Sequence, residues 1–212
     1  MSAANISRRI AALNAMLEPT MRFLEESFYA ELSGKPGVSD FALGNPHEMP
    51  LPALVEAFQR WAVPQNKDWF AYKMSEPQSR RLLAASLRAT HGLAFEPDDI
   101  MLTNGAFAGL AVSLAALVDP GDEVIYISPP WFFYEALIVS AGGAPVRVRI
   151  DEHTFDLDLS AIEAAITPRT RAIIINSPHT PTGKIYPPGM LSDLSRVLRE
   201  ASERVGRAIY LL

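Results

Sequence analysis

Residues 171–183 read RAIIINSPHTPTG. The apolar run from Arg171 to Ile175 is the pattern of a strand buried on both faces, as a parallel sheet requires. Prolines at 178 and 181 then keep the strand from continuing and make a polar turn. In an open α/β sheet that turn lies at the carboxyl edge of the strands, where such folds bind their ligands.

Outward from this stretch the chain alternates strands and helices. Toward the carboxyl end, Gly189 to Val205 predicts a helix, and the apolar Ala208 to Leu212 reads as a central strand. Toward the amino end, strands are expected at Asp99–Thr103, Glu123–Ser128, Pro145–Ile150 and Ala172–Asn176. Helices are expected at Pro52–Ala62, Ser79–His91, Gly105–Val118, Trp131–Ala141 and Leu159–Ile166, the last with Ser160 near its start. Phe41 to Pro46 reads as a short strand running into a turn. Residues 1 to about 32 read as helix, with Ile6, Ile10, Leu13 and Leu17 at helical spacing and a break at Pro19. The expected fold is therefore α/β, a mostly parallel sheet between helices, preceded by an amino-terminal helical segment.

Composition narrows the function classes. The formal net charge of -5 leaves no basic footprint for nucleic acid or for a membrane surface, so small-molecule partners fit better. With no cysteine there are no disulfides, thiolate metal sites or thiol catalysis, and an intracellular, cytoplasmic enzyme is expected. Two arginines precede the first acid in the amino-terminal stretch, as in a transit peptide, but the helical spacing there favours an amphipathic helix. The apolar stretch Ala106–Val118 is interrupted by Gly109 and Ser113 and is too short to span a bilayer.

Strand-to-turn junctions carry the candidate chemistry. Thr103-Asn-Gly-Ala-Phe107 joins a strand to a helix, so its amides and the helix dipole suit a phosphate-sized anion, although such a glycine also serves as a turn alone. No Walker loop or dinucleotide fingerprint is present. Ser128-Pro-Pro-Trp131 brings an indole to the same edge, where it either packs or stacks on a planar ring. A cis bond is expected among its prolines and at Thr180–Pro181. His179 suggests a general base, but a histidine without catalytic duty is the favoured reading there. His47, His91 and His153 are scattered without metal-ligand spacing, so no metal site is expected. Ser128 and Ser177 lack the setting of a hydrolase nucleophile. Together, phosphate cradle, aromatic and polar turn suit a flat phosphorylated cofactor.

From about residue 40 onward the chain resembles the class I and II aminotransferases, pyridoxal-phosphate enzymes of fold type I. The resemblance rests on Ala42-Leu-Gly-Asn-Pro46, Leu102-Thr-Asn-Gly-Ala106, Asp119-Pro-Gly-Asp-Glu-Val124, Ser128-Pro-Pro-Trp131 with Tyr134, Ala141-Gly-Gly143 and NSPHTPTGKIY, in the family's order and spacing. It implies residues 1–45 as an arm and small-domain segment, and 46–212 as the first part of the large cofactor-binding domain. It implies pyridoxal 5'-phosphate as cofactor, with amides of Ala106 and Phe107 after Gly105 on the phosphate and Trp131 on the pyridine ring. Gly44 would lie against the substrate carboxylate. Tyr72 would reach the phosphate in a partner subunit of a homodimer, although it also reads as a packed aromatic, and the Met74–Gln78 segment departs from the family's glycine-containing pattern. The implied reaction moves an amino group between an amino acid and a 2-oxo acid.

One departure falls inside the best motif. The family has asparagine immediately before Pro-Thr-Gly, bonding the cofactor's phenolic oxygen and helping to place substrate, and here that residue is Thr180. A hydroxyl cannot make both contacts of an amide, so an altered reaction or substrate preference is expected. Alternatives are a lyase or oxidase acting on an amino acid, or a non-catalytic binding or dimerisation remnant. Lys35, Lys67, Lys73 and Lys184 all read as solvated charges. The resemblance implies that the catalytic lysine and the ring's acidic partner lie beyond Leu212, and the 212 residues alone are expected to be inactive.

Overall fold

The computed structural model describes residues 5–46 and 48–212, so the expectation for His47 lies outside the described residues. Compactness divides the chain into two units. One takes the amino-terminal residues up to Glu31 together with Asn104–Leu212, and the other takes Leu32–Thr103. These boundaries differ from the expected division at residue 45.

The first unit is a parallel sheet with helices on both faces. Strands β1 (Glu123–Ser128), β2 (Ala144–Arg149), β3 (Thr170–Ile174) and β4 (Tyr210–Leu211) run in the order β2-β1-β3-β4, and every pairing is parallel. Successive side chains in a strand face opposite ways. Ile125, Ile127, Val148 and Ile173 accordingly enter one core with Ile162, Leu194 and Leu198, from α7 (Leu159–Ala165) and α8 (Pro188–Val205). Val124, Tyr126, Ala172 and Ile174 enter the other with Leu114, Leu137 and Ile138, from α5 (Gly105–Leu117) and α6 (Tyr134–Ser140). The apolar run at 171–175 is continuous because β3 is buried on both faces.

Gly143 shows how tightly α6 returns to β2. A Cβ there would stand 2.8 Å from Val118 Cγ1 and 3.2 Å from Ile138 Cγ2, both in the second core. At the opposite, amino edge of the sheet, Arg207 bonds both carboxylate oxygens of Asp122 at 2.7 and 3.0 Å, tying the approach to β4 to the turn before β1. These bonds hold the Asp122 pKa below its ordinary value, against burial that pushes it up. A carboxylate depressed in the folded state adds stability above its unfolded pKa of about 3.9 that is lost as pH falls through the folded value. Asp122→Asn should therefore remove about 1.5–3 kcal/mol at neutral pH and flatten the acid limb. Urea unfolding of both forms at pH 7 and pH 3 checks this, and an equal loss at both values would contradict it.

In the other unit, α3 spans Pro52–Ala62 and α4 Pro77–His91, closed by Gly92 in the left-handed conformation. Arg80 bonds Pro97 O at 2.6 Å and Asp98 at 2.7 Å, and Arg88 bonds Glu96 at 2.8 Å, fastening α4 to the 3-10 turn Pro97–Asp99.

Several expected elements differ. Asp99–Thr103 is not a strand: Asp99 closes the 3-10 turn through a reciprocal bond with Glu96, and residues 100–103 pair with no strand among the described residues. Phe41–Pro46 likewise forms a bend and no strand. Pro19 does not break the first helix; α1 runs through it from Arg8 to Glu26, and the break falls at the extended Ser27, whose hydroxyl accepts Tyr29 N–H before α2 (Phe28–Leu32). The helix expected from Trp131 begins at Tyr134, because the Trp131 carbonyl is spent on a turn to Tyr134 N–H at 3.1 Å. The start of α7 is capped by Asp158, which accepts Ala161 N–H at 2.9 Å and the Ser160 hydroxyl at 2.6 Å. Among the described residues no helix is long and apolar enough to cross a membrane.

Candidate functional site

β1 and β3 are neighbours and parallel, so the turns that leave them, at 129–131 and 176–183, lie side by side at the carboxyl edge. α5 precedes β1 and starts at the same edge. Asn104, at its N-cap, makes no side-chain cap bond, and Gly105 has φ +77 with nothing within 4 Å of the place a Cβ would occupy. Ala106 and Phe107 are exposed, with their amides in the first turn, where a helix favours an anion.

Trp131 stands beside that helix start. Its ring meets Phe107 edge-on at 5.6 Å, and Phe133 and Tyr134 at 5.1 and 5.4 Å. Phe107 thus joins the helix start to the indole, a bridge that its place in the sequence motif does not announce. The Ser128–Pro129 bond is cis, as are Ser177–Pro178 and Thr180–Pro181. The first and third were expected and the second was not.

The turn after β3 folds around His179. The Asn176 amide donates to Pro178 O at 2.9 Å, Tyr186 N–H to Ser177 Oγ at 3.0 Å, and His179 N–H to Lys184 O at 2.7 Å. His179 Nδ1 is 2.8 Å from Thr182 Oγ1. Burial pushes the imidazole pKa down and pushes the Tyr186 phenol up to about 12, with the Asp156 charge adding to the latter. Asn176 Oδ1, His179 Nε2 and the Tyr186 hydroxyl are buried without a hydrogen-bond partner. Thr180, next along, is exposed.

The structure therefore brings Gly105, Ala106, Phe107, Trp131 and Thr180 to one edge of one unit. Gly44 and Tyr72 belong to the other unit: Gly44 directly follows a bend, and Tyr72 is fully exposed. His91 ends α4 and His153 sits in the loop after β2, its backbone N–H on Asp151 Oδ1 at 2.9 Å. Among the described residues no group of three or more His, Asp or Glu side chains could hold a metal ion. Lys184, the only lysine of the sheet unit, is spent on Asp156 at 2.7 Å and Thr154 O at 3.0 Å. Sequence reading missed Tyr186 and Thr182; the one usable signal was the three-residue spacing of His179 and Thr182 across the turn.

The sequence profile described as aminotransferase class I and II matches residues 36–204. The aspartate/prephenate aminotransferase of Thermus thermophilus is 35% identical over 198 residues, which is 92% of this chain and 50% of that protein. The probable N-succinyldiaminopimelate aminotransferase DapC of Mycobacterium tuberculosis is 33% identical, over 80% of this chain and 44% of its own. Among solved structures, an amino transferase from Eubacterium rectale superposes with a TM-score of 0.77 at 30% identity, covering 98% of this chain and 51% of that one. The chain thus spans about half the length of the relatives it matches.

Proposed function

This chain belongs to the class I and II aminotransferases, and from that premise we propose that the native polypeptide carrying it uses pyridoxal 5'-phosphate to move an amino group between an amino acid and a 2-oxo acid. The observation that carries the reading is the meeting of the α5 start with the Trp131 indole through Phe107. A helix start whose N-cap Asn104 makes no side-chain cap bond, beside an aromatic face, fits a ligand that is a phosphate at one end and a flat ring at the other. Bound there, pyridoxal phosphate would supply an electron sink for charge left at the substrate's α-carbon.

In this reading the Ala106 and Phe107 amides hold the phosphate, and Gly105 keeps the approach clear of a side chain. Trp131 orients the ring by its face and shields it from water. Thr180 presents its hydroxyl toward the phenolic oxygen, Gly44 lies against the substrate carboxylate, and Tyr72 reaches the phosphate held by the second subunit of a homodimer. Residues 46–212 contribute to the large cofactor-binding domain and 1–45 to the arm and small domain. No lysine of the sheet unit is free to hold the cofactor covalently or to move the α-proton, because Lys184 is engaged elsewhere. We accordingly expect the 212 residues alone to show no transamination. Equilibrium dialysis tests the reading: the native polypeptide should retain one pyridoxal phosphate per subunit, displaced by inorganic phosphate in excess, and absence of retention would refute it.

Thr180 also favours a second reading, a lyase or oxidase on the same scaffold. If the hydroxyl is a weakened substitute for an amide, Thr180→Asn should raise kcat/KM for amino transfer about tenfold, the worth of one added hydrogen bond of about 1.4 kcal/mol. An unchanged or lower value would show that the threonine is fitted to different chemistry.

A further inference from the structure

We propose that His179 is a positioning residue, whose buried imidazole, held by Thr182, sets the shape of the turn that presents Thr180; the inference rests on the function proposed above. His179 is only 2% exposed, although its neighbours Pro178 and Thr180 are on the surface. An imidazole is not placed inside a polar turn by hydrophobicity alone, since each buried ring nitrogen without a partner costs free energy. One nitrogen is satisfied: Nδ1 lies 2.8 Å from Thr182 Oγ1, which also accepts Lys184 N–H at 3.3 Å.

The backbone of the same turn closes on His179 from both sides. Its N–H donates to Lys184 O and its carbonyl accepts Gly183 N–H, both at 2.7 Å, so the residues between are a loop pinned at its neck with the ring as its filling. Tyr186 forms the far wall, its ring centroid 6.1 Å from that of His179. The surroundings favour an uncharged ring. Lys184 directs its ammonium away, to Asp156 and Thr154 O, and among the described residues no carboxylate is bonded to His179. Burial lowers the imidazole pKa in the same sense. With the ring wedged in place, Thr180 follows directly on a residue buried in the turn.

The test uses the native polypeptide in two states. Without cofactor, nitrogen-15 spectra of the imidazole should show one neutral tautomer, shifted by Thr182→Val and left alone by Thr182→Ser, which keeps the hydroxyl. A ring averaging between tautomers would overturn the inference whether or not the cofactor binds. With cofactor, His179→Ala should weaken pyridoxal phosphate binding about tenfold and move its absorption band, the effect of losing one local hydrogen bond of about 1.4 kcal/mol. His179→Asn places a polar atom where Nδ1 lies and should recover most of the loss. Equal weakening in both variants, or in neither, would overturn it. Should His179→Ala not fold, the Thr182 pair still decides. Failure of the wild-type polypeptide to take up cofactor would instead count against the proposed function.

Discussion

Ile173→Ala is expected to destabilise the sheet unit by about 2–5 kcal/mol, the range for deleting a buried isoleucine side chain where the surroundings cannot collapse. Ile173 is 0% exposed and sits in the first core with Ile125, Ile162 and Leu194. Its backbone is held on both sides, in register with Ile125 on β1 and Leu211 on β4, so the strand cannot shift to fill the gap. Ile185→Ala is the control: that side chain is 68% exposed, and its loss should stay within about 0.5 kcal/mol. Urea midpoints with unchanged slope report both. A loss under about 1 kcal/mol for Ile173→Ala would mean that β3 is not the buried centre of the sheet.

Trp131→Ala is expected to weaken pyridoxal phosphate binding about 30- to 100-fold. Loss of the stacking face removes about 0.5–1.5 kcal/mol beyond area burial, and the buried indole surface adds a further contribution of about 1.5 kcal/mol. Together these come to about 2–3 kcal/mol, roughly one and a half to two powers of ten in affinity at about 1.4 kcal/mol for each. Trp131 also packs against the second core, so the alanine variant loses stability as well as affinity. Trp131→Phe separates the two effects, because it keeps a ring against Phe107 and Phe133 and should cost about tenfold or less. Fluorescence titration with the cofactor gives both dissociation constants. Wild-type affinity in a folded Trp131→Ala variant would remove the indole from the site.

Local chemistry explains which parts of this fold were legible in the sequence. The limits of β1 at Glu123 and Ser128 were readable because a Pro-Gly turn precedes the strand and prolines follow it, and those of α3 because Pro52 opens it. β3 begins two residues before the start expected at Ala172, since Thr170 pairs with Glu123 despite being polar. Asp99–Thr103 looked like a strand but a strand exists only with a neighbour, and pairing is not written in the segment itself. At the site, glycine and proline marked where the chain turns, and the family likeness supplied roles. The burial of His179 was not readable, because the turn around it is polar in composition and becomes enclosed only when its neck closes through Lys184 and Gly183. Phe107 was noticed for its amide, while its ring, which reaches Trp131, depends on how α5 packs against the following loop.

Amino transfer is tested most directly by the product balance of the native polypeptide supplied with pyridoxal phosphate, an amino acid and a 2-oxo acid. Each amino acid consumed should yield one new 2-oxo acid and one new amino acid, without ammonia release or oxygen uptake. Ammonia or oxygen consumption in place of the second amino acid would contradict it.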